Sequence, residues 1–350
     1  MTDFPDHPEK FTNAWLAEKL GFPEAALKGF DFTPVGTGQV GDSYRLRLDW
    51  HEGDGPATIV AKCSAADPTS RETARNMNLY EIEANWYGDY AANVGVRTPY
   101  AYYVGLDTAD IGNFMLLMED LAPAQQISQM DGCDAQTVAL ALNEAALLHR
   151  AAWNDPQLPE TAWLNYSKGR KEFIGQLLVA VYPEWCARYE GRIEKNILEM
   201  GQSLVERYDQ YTREIAGPIV LSHGDFRLDN MLFHDANGRA VILDWQTLSA
   251  GPPMPDVAYC VSTSFADPAA RATHEKALVT GYYEKLALPD SDYDFDTAWR
   301  DYRRYAFSGF LMGVLSAMLV ERTERGDEMF AVMAERSGYQ ALHLDSLALV

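Results

Sequence analysis

The most constraining feature of this 350-residue sequence is a group of polar residues held between short apolar runs in its second half. The segment 221–233 reads LSHGDFRLDNMLF and contains Asp225, with Asn230 five residues later. A second apolar run, Val241-Ile-Leu, ends at Asp244, fourteen residues beyond Asn230. Because short strands fix the residues that flank them, we expect these polar side chains to lie at one edge of a small β-structure.

This order and spacing of Asp, Asn and Asp is typical of the catalytic site of a kinase. Phosphoryl transfer requires the attacking hydroxyl to be held in line with the γ-phosphate of ATP, and a carboxylate that accepts its proton, a role that suits Asp225. The reaction also requires Mg²⁺, which prefers hard oxygen ligands such as those of Asn230 and Asp244. Taken singly, HGD also fits a polar turn and LDW the end of a buried strand. Their order and spacing together favour the catalytic interpretation.

A glycine-rich turn near the N-terminus is a candidate phosphate-binding element. The letters GTGQVG fit G-x-G-x-x-G at Gly36, Gly38 and Gly41. A dinucleotide-binding site would need a helix directly afterwards, whereas Ser43–Trp50 alternates like a strand. A glycine-rich hairpin whose backbone N–H groups approach a triphosphate fits better. A flexible surface hairpin is the alternative.

Lys62 ends an apolar strand, Thr58-Ile-Val-Ala-Lys62. A lysine there is costly if it is buried without a partner. Kinases pair such a lysine with a glutamate on the following helix and with the α- and β-phosphates of ATP. Glu81 and Glu83 are the candidate partners. A lysine whose amine reaches solvent at the end of a strand is the alternative.

The hydrophobic pattern changes along the chain from strands to helices and predicts an α+β fold. Five strands are predicted before the change, at 30–35, 43–50, 58–62, 100–105 and 113–118, with one main helix at 71–92. After the change, helices are predicted at 135–153, 166–181, 183–211, 268–286, 298–322 and 328–347, with a small β insert at 219–221, 231–234 and 240–243. The boundary lies near 119–123.

HGDFRLDN followed by LDWQ resembles the aminoglycoside phosphotransferase and choline kinase superfamily, in which HGDxxxxN replaces the HRD loop of protein kinases. LDWQTLSAGPPMPDVAYCV is most similar to its ecdysteroid-kinase-like branch. The resemblance covers nearly the whole chain. It implies a bilobal, protein-kinase-like fold with a nucleotide-binding lobe at 1–120 and a catalytic and acceptor-binding lobe at 121–350.

The resemblance also implies roles for residues of the second lobe. Asp225 is implied as the catalytic base, and Asn230 and Asp244 as the ligands of Mg²⁺. Arg227 stands where many protein kinases have a lysine and would neutralise charge on the transferring phosphate. Asp256 resembles an aspartate that supports the catalytic loop, and a plain helix N-cap is the alternative.

In the first lobe, the letters EANWY resemble the superfamily segment E-x-x-F-Y. This favours Glu83 over Glu81 as the partner of Lys62. The letters FMLLMEDL resemble the hinge, in which backbone groups near Glu119 to Leu121 hold the adenine edge of ATP. An ordinary strand that runs into a loop is the alternative.

The charge of the chain is strongly negative, with 29 basic against 51 acidic residues and a formal net charge of −22. A chain this acidic repels nucleic acid and anionic membrane surfaces, so we expect neither as a partner. No partner protein is implied. The first ten residues lack an apolar segment, and the four cysteines are scattered, which predicts a cytoplasmic protein with reduced thiols.

Three functions are compatible with these residues. A small-molecule kinase explains all of them. A protein kinase is disfavoured, because no activation segment ending in A-P-E is recognisable and Trp245-Gln246 replaces Phe-Gly. A pseudokinase that binds nucleotide without catalysis is disfavoured, because every expected polar residue is present. The acceptor stays open among apolar or steroid-like alcohols, hydroxyacyl thioesters, amino sugars and cationic alcohols, as do the oligomeric state and the choice between ATP and GTP.

Overall fold

The computed structural model describes residues 4–36, 40–51, 55–164, 170–213, 217–234, 236–288, 293–320 and 322–350, with the backbone alone at 170–172. The chain divides into two compact units. The first unit is Met1–Pro123 together with Leu243–Leu248, and the second is Ala124–Ile242 together with Ser249–Val350. The predicted lobe boundary at 120/121 lies close to this division, but it assigned the segment 243–248 to the second lobe.

The first unit is built on a five-stranded antiparallel sheet in the order β1-β2-β3-β5-β4. Its strands are β1 Leu27–Pro34, β2 Gly41–Trp50, β3 Thr58–Ser64, β4 Ala101–Leu106 and β5 Phe114–Glu119. Alternate residues face the core, where Leu46, Ile59 and Leu117 are fully buried. Helix α1, Asn13–Lys19, adds Leu16 to the same core. All five predicted strands are present, with bounds that agree to within three residues.

The prediction of a single helix at 71–92 is wrong. Two helices, α2 Pro68–Asn76 and α3 Leu79–Asn85, are separated at Asn78, which has φ of 55°. Asparagine tolerates this left-handed conformation, and one residue in it breaks the helical hydrogen-bond ladder. Past α3 the chain continues through a π-helical segment, Trp86–Tyr90, and α4, Ala91–Val94.

The second unit is mainly helical, as predicted. Its helices are α5 Ala135–Ala151, α6 Arg170–Arg188, α7 Lys195–Glu206, α8 Tyr208–Arg213, α9 Met254–Ser264, α10 Pro268–Leu286, α11 Phe295–Arg304, α12 Ser308–Leu319 and α13 Glu324–His343. Its short strands are β6 Gln125–Gln126, β7 Val220–Ser222, β8 Met231–Phe233, β9 Val241–Ile242 and β10 Ser249–Gly251. They form two small sheets, β6-β8-β9 and β7-β10.

Several predicted helix bounds in this unit are wrong. The predicted break at Pro183 does not occur, because α6 continues through the proline. A proline removes one helical hydrogen bond, but the buried side chains of Tyr182 and Trp185 hold this helix against the core. The helix predicted at 298–322 is α11 and α12 with a 3-10 turn between them. The helix predicted at 166–181 begins in residues outside the described ranges.

Helix α9 was not predicted at all. It lies directly before the last four helices of the unit, and ten of its eleven residues are buried. A helix that is buried all round has no polar face, so it lacks the amphipathic periodicity on which sequence prediction depends. Among the residues that the structure describes, no helix is both long and apolar enough to span a bilayer.

Candidate active site

The predicted catalytic segment forms a loop between two short strands of the second unit. Strand β7 ends at Ser222, and a 3-10 turn over Leu228–Asn230 leads into β8. Gly224 has φ of 82°, a conformation that glycine adopts without steric penalty. The loop therefore turns sharply just before Asp225.

Both carboxylate oxygens of Asp225 accept hydrogen bonds from side chains. Oδ1 accepts from the Tyr259 hydroxyl at 2.9 Å and from Arg227 Nε at 3.0 Å. Oδ2 accepts from Asn230 Nδ2 at 2.7 Å and lies 3.2 Å from the same Arg227 nitrogen. The amide of Asn230 also donates to the backbone carbonyl of Asp225 at 2.9 Å. The carboxylate is thus oriented, and its side chain is 17% exposed.

Arg227 is engaged by two carboxylates of its own loop. Besides its contact with Asp225, its Nη1 donates to Asp229 Oδ2 at 3.1 Å. Arg325 Nη2 lies 3.6 Å from the same Asp229 oxygen. Burial opposes the charge on the guanidinium, but Asp225 and Asp229 raise the pKa of Arg227 above its ordinary value. Arg227 is therefore a charged group that orients Asp225, and its role toward the transferring phosphate stays a prediction.

Asp256, in the first turn of α9, holds the backbone of the same loop. Its Oδ2 accepts from the backbone N–H of His223 at 2.6 Å and from the Ser222 hydroxyl at 3.1 Å, and its Oδ1 accepts from the N–H of Gly224 at 2.9 Å. Burial opposes ionisation, but the hydrogen bond and charge of His149 and the N–H donors hold the pKa of Asp256 below its ordinary value. These contacts favour the loop-supporting interpretation over a plain helix N-cap.

His149, on α5, lies behind Asp256. Its Nε2 is 3.2 Å from Asp256 Oδ2, and its Nδ1 is 2.6 Å from the hydroxyl of Tyr282. The three side chains are buried. Both ring nitrogens are therefore engaged within the core, which is the arrangement of a histidine that positions its neighbours.

The first unit brings Lys62, Glu83 and Asp244 together. Lys62 Nζ donates to Glu83 at 2.7 Å and to Asp244 Oδ1 at 3.3 Å. Burial disfavours the charge on the amine, but the two carboxylates raise the pKa of Lys62 above its ordinary value. Glu83 is 1% exposed, and its Oε2 also accepts from Gln246 Nε2 at 3.1 Å. Glu81 is half-buried at the surface of α3, so the structure pairs Lys62 with Glu83.

The segment 243–248 is held in the first unit by its aromatic residue. The ring of Trp245 stacks on Trp86 with the ring centres 3.6 Å apart, and its indole N–H donates to Thr98 at 2.9 Å. Asp244 has φ of 61°, and its side chain is 42% exposed. This left-handed turn and the anchored indole place the Asp244 carboxylate beside Lys62.

The glycine-rich turn is described only at its two ends. Gly36 has φ of 79°, a conformation that favours glycine. Gly41 begins β2, and a Cβ there would lie 3.2 Å from the carbonyl of Cys63 and 3.6 Å from Cε of Lys62. Gly41 therefore allows the turn to approach the lysine closely. Gly38 lies outside the described residues.

The predicted hinge follows the end of β5. The carboxylate of Glu119 accepts two hydrogen bonds from Arg97, both at 2.9 Å, and one from the backbone N–H of Tyr100 at 3.1 Å. Its side chain is therefore committed to structure. Leu121 follows β5 and is partly buried. The predicted contact of Glu119 and Leu121 with adenine would be made by their backbone groups, and it stays a prediction.

Two site residues were missed by the sequence interpretation. Tyr259 contacts Asp225 and lies three positions after Asp256 on α9, a spacing that places both side chains on one helix face. That spacing is a signal that could have found it. Gln246 contacts Glu83, but no pattern in the sequence connects two residues so far apart.

Comparison with known proteins gives a family and a fold. Residues 34–289 match the family model described as "Phosphotransferase enzyme family". The acyl-CoA dehydrogenase family member 11 of Gallus gallus is 44% identical over 46 residues, which is 13% of this chain and 6% of that protein. The chain spans at most 17% of the length of the curated relatives that it matches.

Two solved structures resemble nearly the whole chain. An ethanolamine kinase of Plasmodium vivax has a TM-score of 0.54 at 12% identity and covers 91% of this chain and 82% of its own. The GDP complex of aminoglycoside 2'-phosphotransferase-IIIa has a TM-score of 0.53 at 15% identity and covers 92% of this chain and 96% of its own. The predicted kinase-like α+β fold is confirmed by this likeness.

Proposed function

Because the chain belongs to the phosphotransferase enzyme family, we propose that it transfers the γ-phosphate of ATP, with Mg²⁺, to a hydroxyl group of a small molecule. Asp225 is the catalytic base in this proposal. The observation that carries it is the orientation of the Asp225 carboxylate by Arg227, Asn230 and Tyr259. An acceptor hydroxyl gains most from a base that is held in one geometry before the reaction.

In the proposed reaction the acceptor hydroxyl donates a hydrogen bond to the Asp225 carboxylate. As the bond between the acceptor oxygen and the γ-phosphorus forms and the bond from that phosphorus to the β,γ-bridging oxygen breaks, the hydroxyl proton passes to Asp225. The products are the phosphorylated acceptor and ADP. The charged Arg227 and the neutral donors Asn230 and Tyr259 hold the carboxylate in one orientation for this transfer.

The residues of the first unit are proposed to bind the nucleotide. Lys62, charged and oriented by Glu83, would contact the α- and β-phosphates. The turn with Gly36, Gly38 and Gly41 would cover the phosphates with backbone N–H groups. The GDP found in the aminoglycoside phosphotransferase complex supports nucleotide binding by this fold.

The adenine ring is proposed to contact the chain that follows β5. The backbone carbonyl of Glu119 and the backbone groups of Leu121 would hold its polar edge, because the N–H of Glu119 already donates to the carbonyl of Tyr100 at 2.8 Å. The commitment of the Glu119 carboxylate to Arg97 supports this assignment, because it keeps an acidic side chain away from the base.

Asn230 and Asp244 have donor atoms that fit Mg²⁺. Asn230 uses its amide nitrogen toward Asp225, so its amide oxygen is the atom suited to a metal. Asp244 offers a partly exposed carboxylate. When bound there, Mg²⁺ would neutralise the negative charge of the phosphates during transfer. The two residues belong to different units of the chain.

An ADP-release screen tests the proposed activity. The panel is ethanolamine, choline, an aminoglycoside, a steroid alcohol and a hydroxyacyl thioester, each with ATP or GTP and with Mg²⁺ or EDTA. We expect Mg²⁺-dependent turnover with one class, and its loss in Asp225→Asn with ATP binding retained. Asp294→Asn is the matched control, because Asp294 caps α11 and asparagine caps equally well. Full phosphotransfer by Asp225→Asn would refute the role of Asp225.

The pseudokinase alternative predicts a different result from the same screen. A pseudokinase would bind ATP, with weaker binding in Lys62→Met, but would release no ADP with any acceptor. A protein kinase would label added proteins rather than the small molecules. The acidity of the chain supports a small-molecule acceptor over nucleic acid or a membrane surface. A cytoplasmic location is part of this proposal.

A further inference from the structure

We propose that Tyr259 is a positioning residue for the reaction, because its hydroxyl group fixes the orientation of the Asp225 carboxylate. The inference rests on the proposed function, in which Asp225 is the base. It concerns a residue outside the HGDxxxxN and LDWQ segments. All the contacts that support it lie within the second unit.

The hydroxyl of Tyr259 donates to Asp225 Oδ1 at 2.9 Å. The Tyr259 side chain is 2% exposed, and a buried phenol needs a hydrogen-bond partner to offset its desolvation. Burial, together with the negative charge of Asp225, raises the pKa of Tyr259 well above its ordinary value. The hydroxyl therefore keeps its proton near neutral pH and acts as a donor.

One helix face holds both the backbone and the side chain of the catalytic loop. Asp256 and Tyr259 are three positions apart on α9, so they project from the same face. Asp256 binds the N–H groups of His223 and Gly224, and Tyr259 binds the carboxylate of the next residue, Asp225. Because α9 is buried, its packing fixes the positions of both side chains relative to the loop.

Tyr259 is itself held firmly. Its backbone carbonyl accepts from the hydroxyl of Ser262 at 3.0 Å and from the hydroxyl of Thr263 at 2.8 Å. Its ring packs against α12 at Gly309, where an added Cβ would lie 3.0 Å from Cδ2 of the ring. The ring therefore has little room to move, and the position of its hydroxyl is defined.

The Tyr259 contact matters because the side chain of an aspartate rotates easily about its last torsion. Without the phenol, Oδ1 keeps its contact with Arg227 Nε, a donor whose distances to the two oxygens are nearly equal at 3.0 and 3.2 Å. Such a shared donor holds the carboxylate as a whole but leaves its plane free to rotate. Tyr259 on one oxygen and Asn230 on the other fix that plane.

The test compares Tyr259→Phe with Tyr302→Phe. Tyr302 is also buried, and its hydroxyl donates to a carboxylate, Glu275 Oε1, at 2.8 Å, within the core between α10 and α11. Phenylalanine keeps each ring, so each variant loses one hydroxyl. ADP release is measured with Mg²⁺, ATP and the acceptor that gives the highest rate in the ADP-release screen, and the melting temperature is measured for both variants.

For Tyr259→Phe we expect kcat to fall about ten- to a hundredfold, the range for one hydrogen bond to a charged group. The KM for ATP should stay within about twofold, because the donor acts on the base and not on the nucleotide. Tyr302→Phe should lower the melting temperature and leave kcat unchanged.

Each other outcome overturns the inference. If Tyr259→Phe keeps kcat within about twofold of wild type while Asp225→Asn is inactive, the inference fails and the proposed function stands. If both tyrosine variants lose kcat in proportion to their stability, or if Tyr259→Phe alone does not fold, the Tyr259 hydroxyl is structural. If Asp225→Asn keeps full turnover, Asp225 is not the base, and the inference fails together with the proposed role of Asp225.

Discussion

Replacement of Asp256 by asparagine removes one acceptor and one negative charge from beneath the catalytic loop, with almost no change of shape. Oδ2 of Asp256 accepts from the N–H of His223 and from two side chains, whereas Oδ1 accepts from the N–H of Gly224. An asparagine amide has one oxygen, and we expect that oxygen on the side with three donors. The N–H of Gly224 then faces an NH₂ group and has lost its acceptor.

The magnitude follows from these contacts. A buried N–H without an acceptor costs about 1–3 kcal/mol, and the remaining bonds weaken because they lose a charged acceptor. We therefore expect Asp256→Asn to lower the free energy of unfolding of the second unit by about 3 kcal/mol. Asp256→Ala removes the acceptor for both N–H groups and should cost about 3–5 kcal/mol.

Urea unfolding and thermal melting measure this effect. For a unit of about 200 residues, a loss of about 3 kcal/mol lowers the melting temperature by roughly 6–12 °C. Asp267→Asn is the matched control, because Asp267 is the exposed N-cap of α10 and asparagine caps a helix equally well. A loss for Asp256→Asn that equals the loss for Asp267→Asn would refute the claim that Asp256 supports the loop.

The pKa of Asp256 also predicts how the stability lost in Asp256→Asn changes with pH. Its pKa in the folded protein lies below the ordinary value of 3.8, because hydrogen bonds from His149 and the loop outweigh the effect of burial. A depressed folded-state pKa means that this stability is present above the ordinary value and is lost as the pH falls through the folded-state value. The stability difference between wild type and Asp256→Asn should therefore be largest near neutral pH and should shrink in acid.

Two further predictions concern the first unit and the support of Tyr259. Lys62→Met should weaken ATP binding and lower kcat at least about tenfold. It should also destabilise the first unit by roughly 3 kcal/mol, because Glu83 stays buried without its cation. Nucleotide titration and thermal melting measure the two effects, and unchanged ATP binding would contradict the assignment of Lys62. Gly309→Ala should cost about 1–3 kcal/mol, since its Cβ would clash with the Ser337 hydroxyl and crowd the Tyr259 ring. Gly281→Ala in α10, which has open space around it, should be neutral or stabilising, and equal melting temperatures of the two variants would contradict this.

The sheet of the first unit could be predicted because its signals are local. Strand β2 alternates in hydrophobicity, β3 is a short apolar run, and turns flank both, and this pattern determines their type and their approximate bounds. The pairing of Lys62 with a carboxylate of the following helix was also predictable, because a buried lysine requires one. The choice of Glu83 over Glu81 came from the resemblance of EANWY to the superfamily segment. These predictions depend on short-range pattern and on charge neutralisation.

The parts that could not be predicted depend on single residues or on distant contacts. The break at Asn78 results from the left-handed conformation of that one residue. The hydrophobic periodicity continues on either side of it, so the sequence pattern does not indicate the break. The continuation of α6 through Pro183 depends on tertiary packing that outweighs helix propensity. The inclusion of Leu243–Leu248 in the first unit depends on the stacking of Trp245 on Trp86, a long-range contact that the hydrophobic pattern of the sequence does not reveal.

Detection of the phosphorylated product is the most direct test of the central claim, the role of Asp225 in phosphoryl transfer. Phosphorus NMR follows the phosphate monoester and ADP formed from Mg²⁺, ATP and the best acceptor by wild type and by Asp225→Asn, with ATP affinity measured in parallel. We predict that the monoester forms with wild type, and that Asp225→Asn forms it about a hundred- to ten-thousandfold more slowly with nearly unchanged ATP affinity. Equal rates of monoester formation by the two proteins would contradict the catalytic role of Asp225.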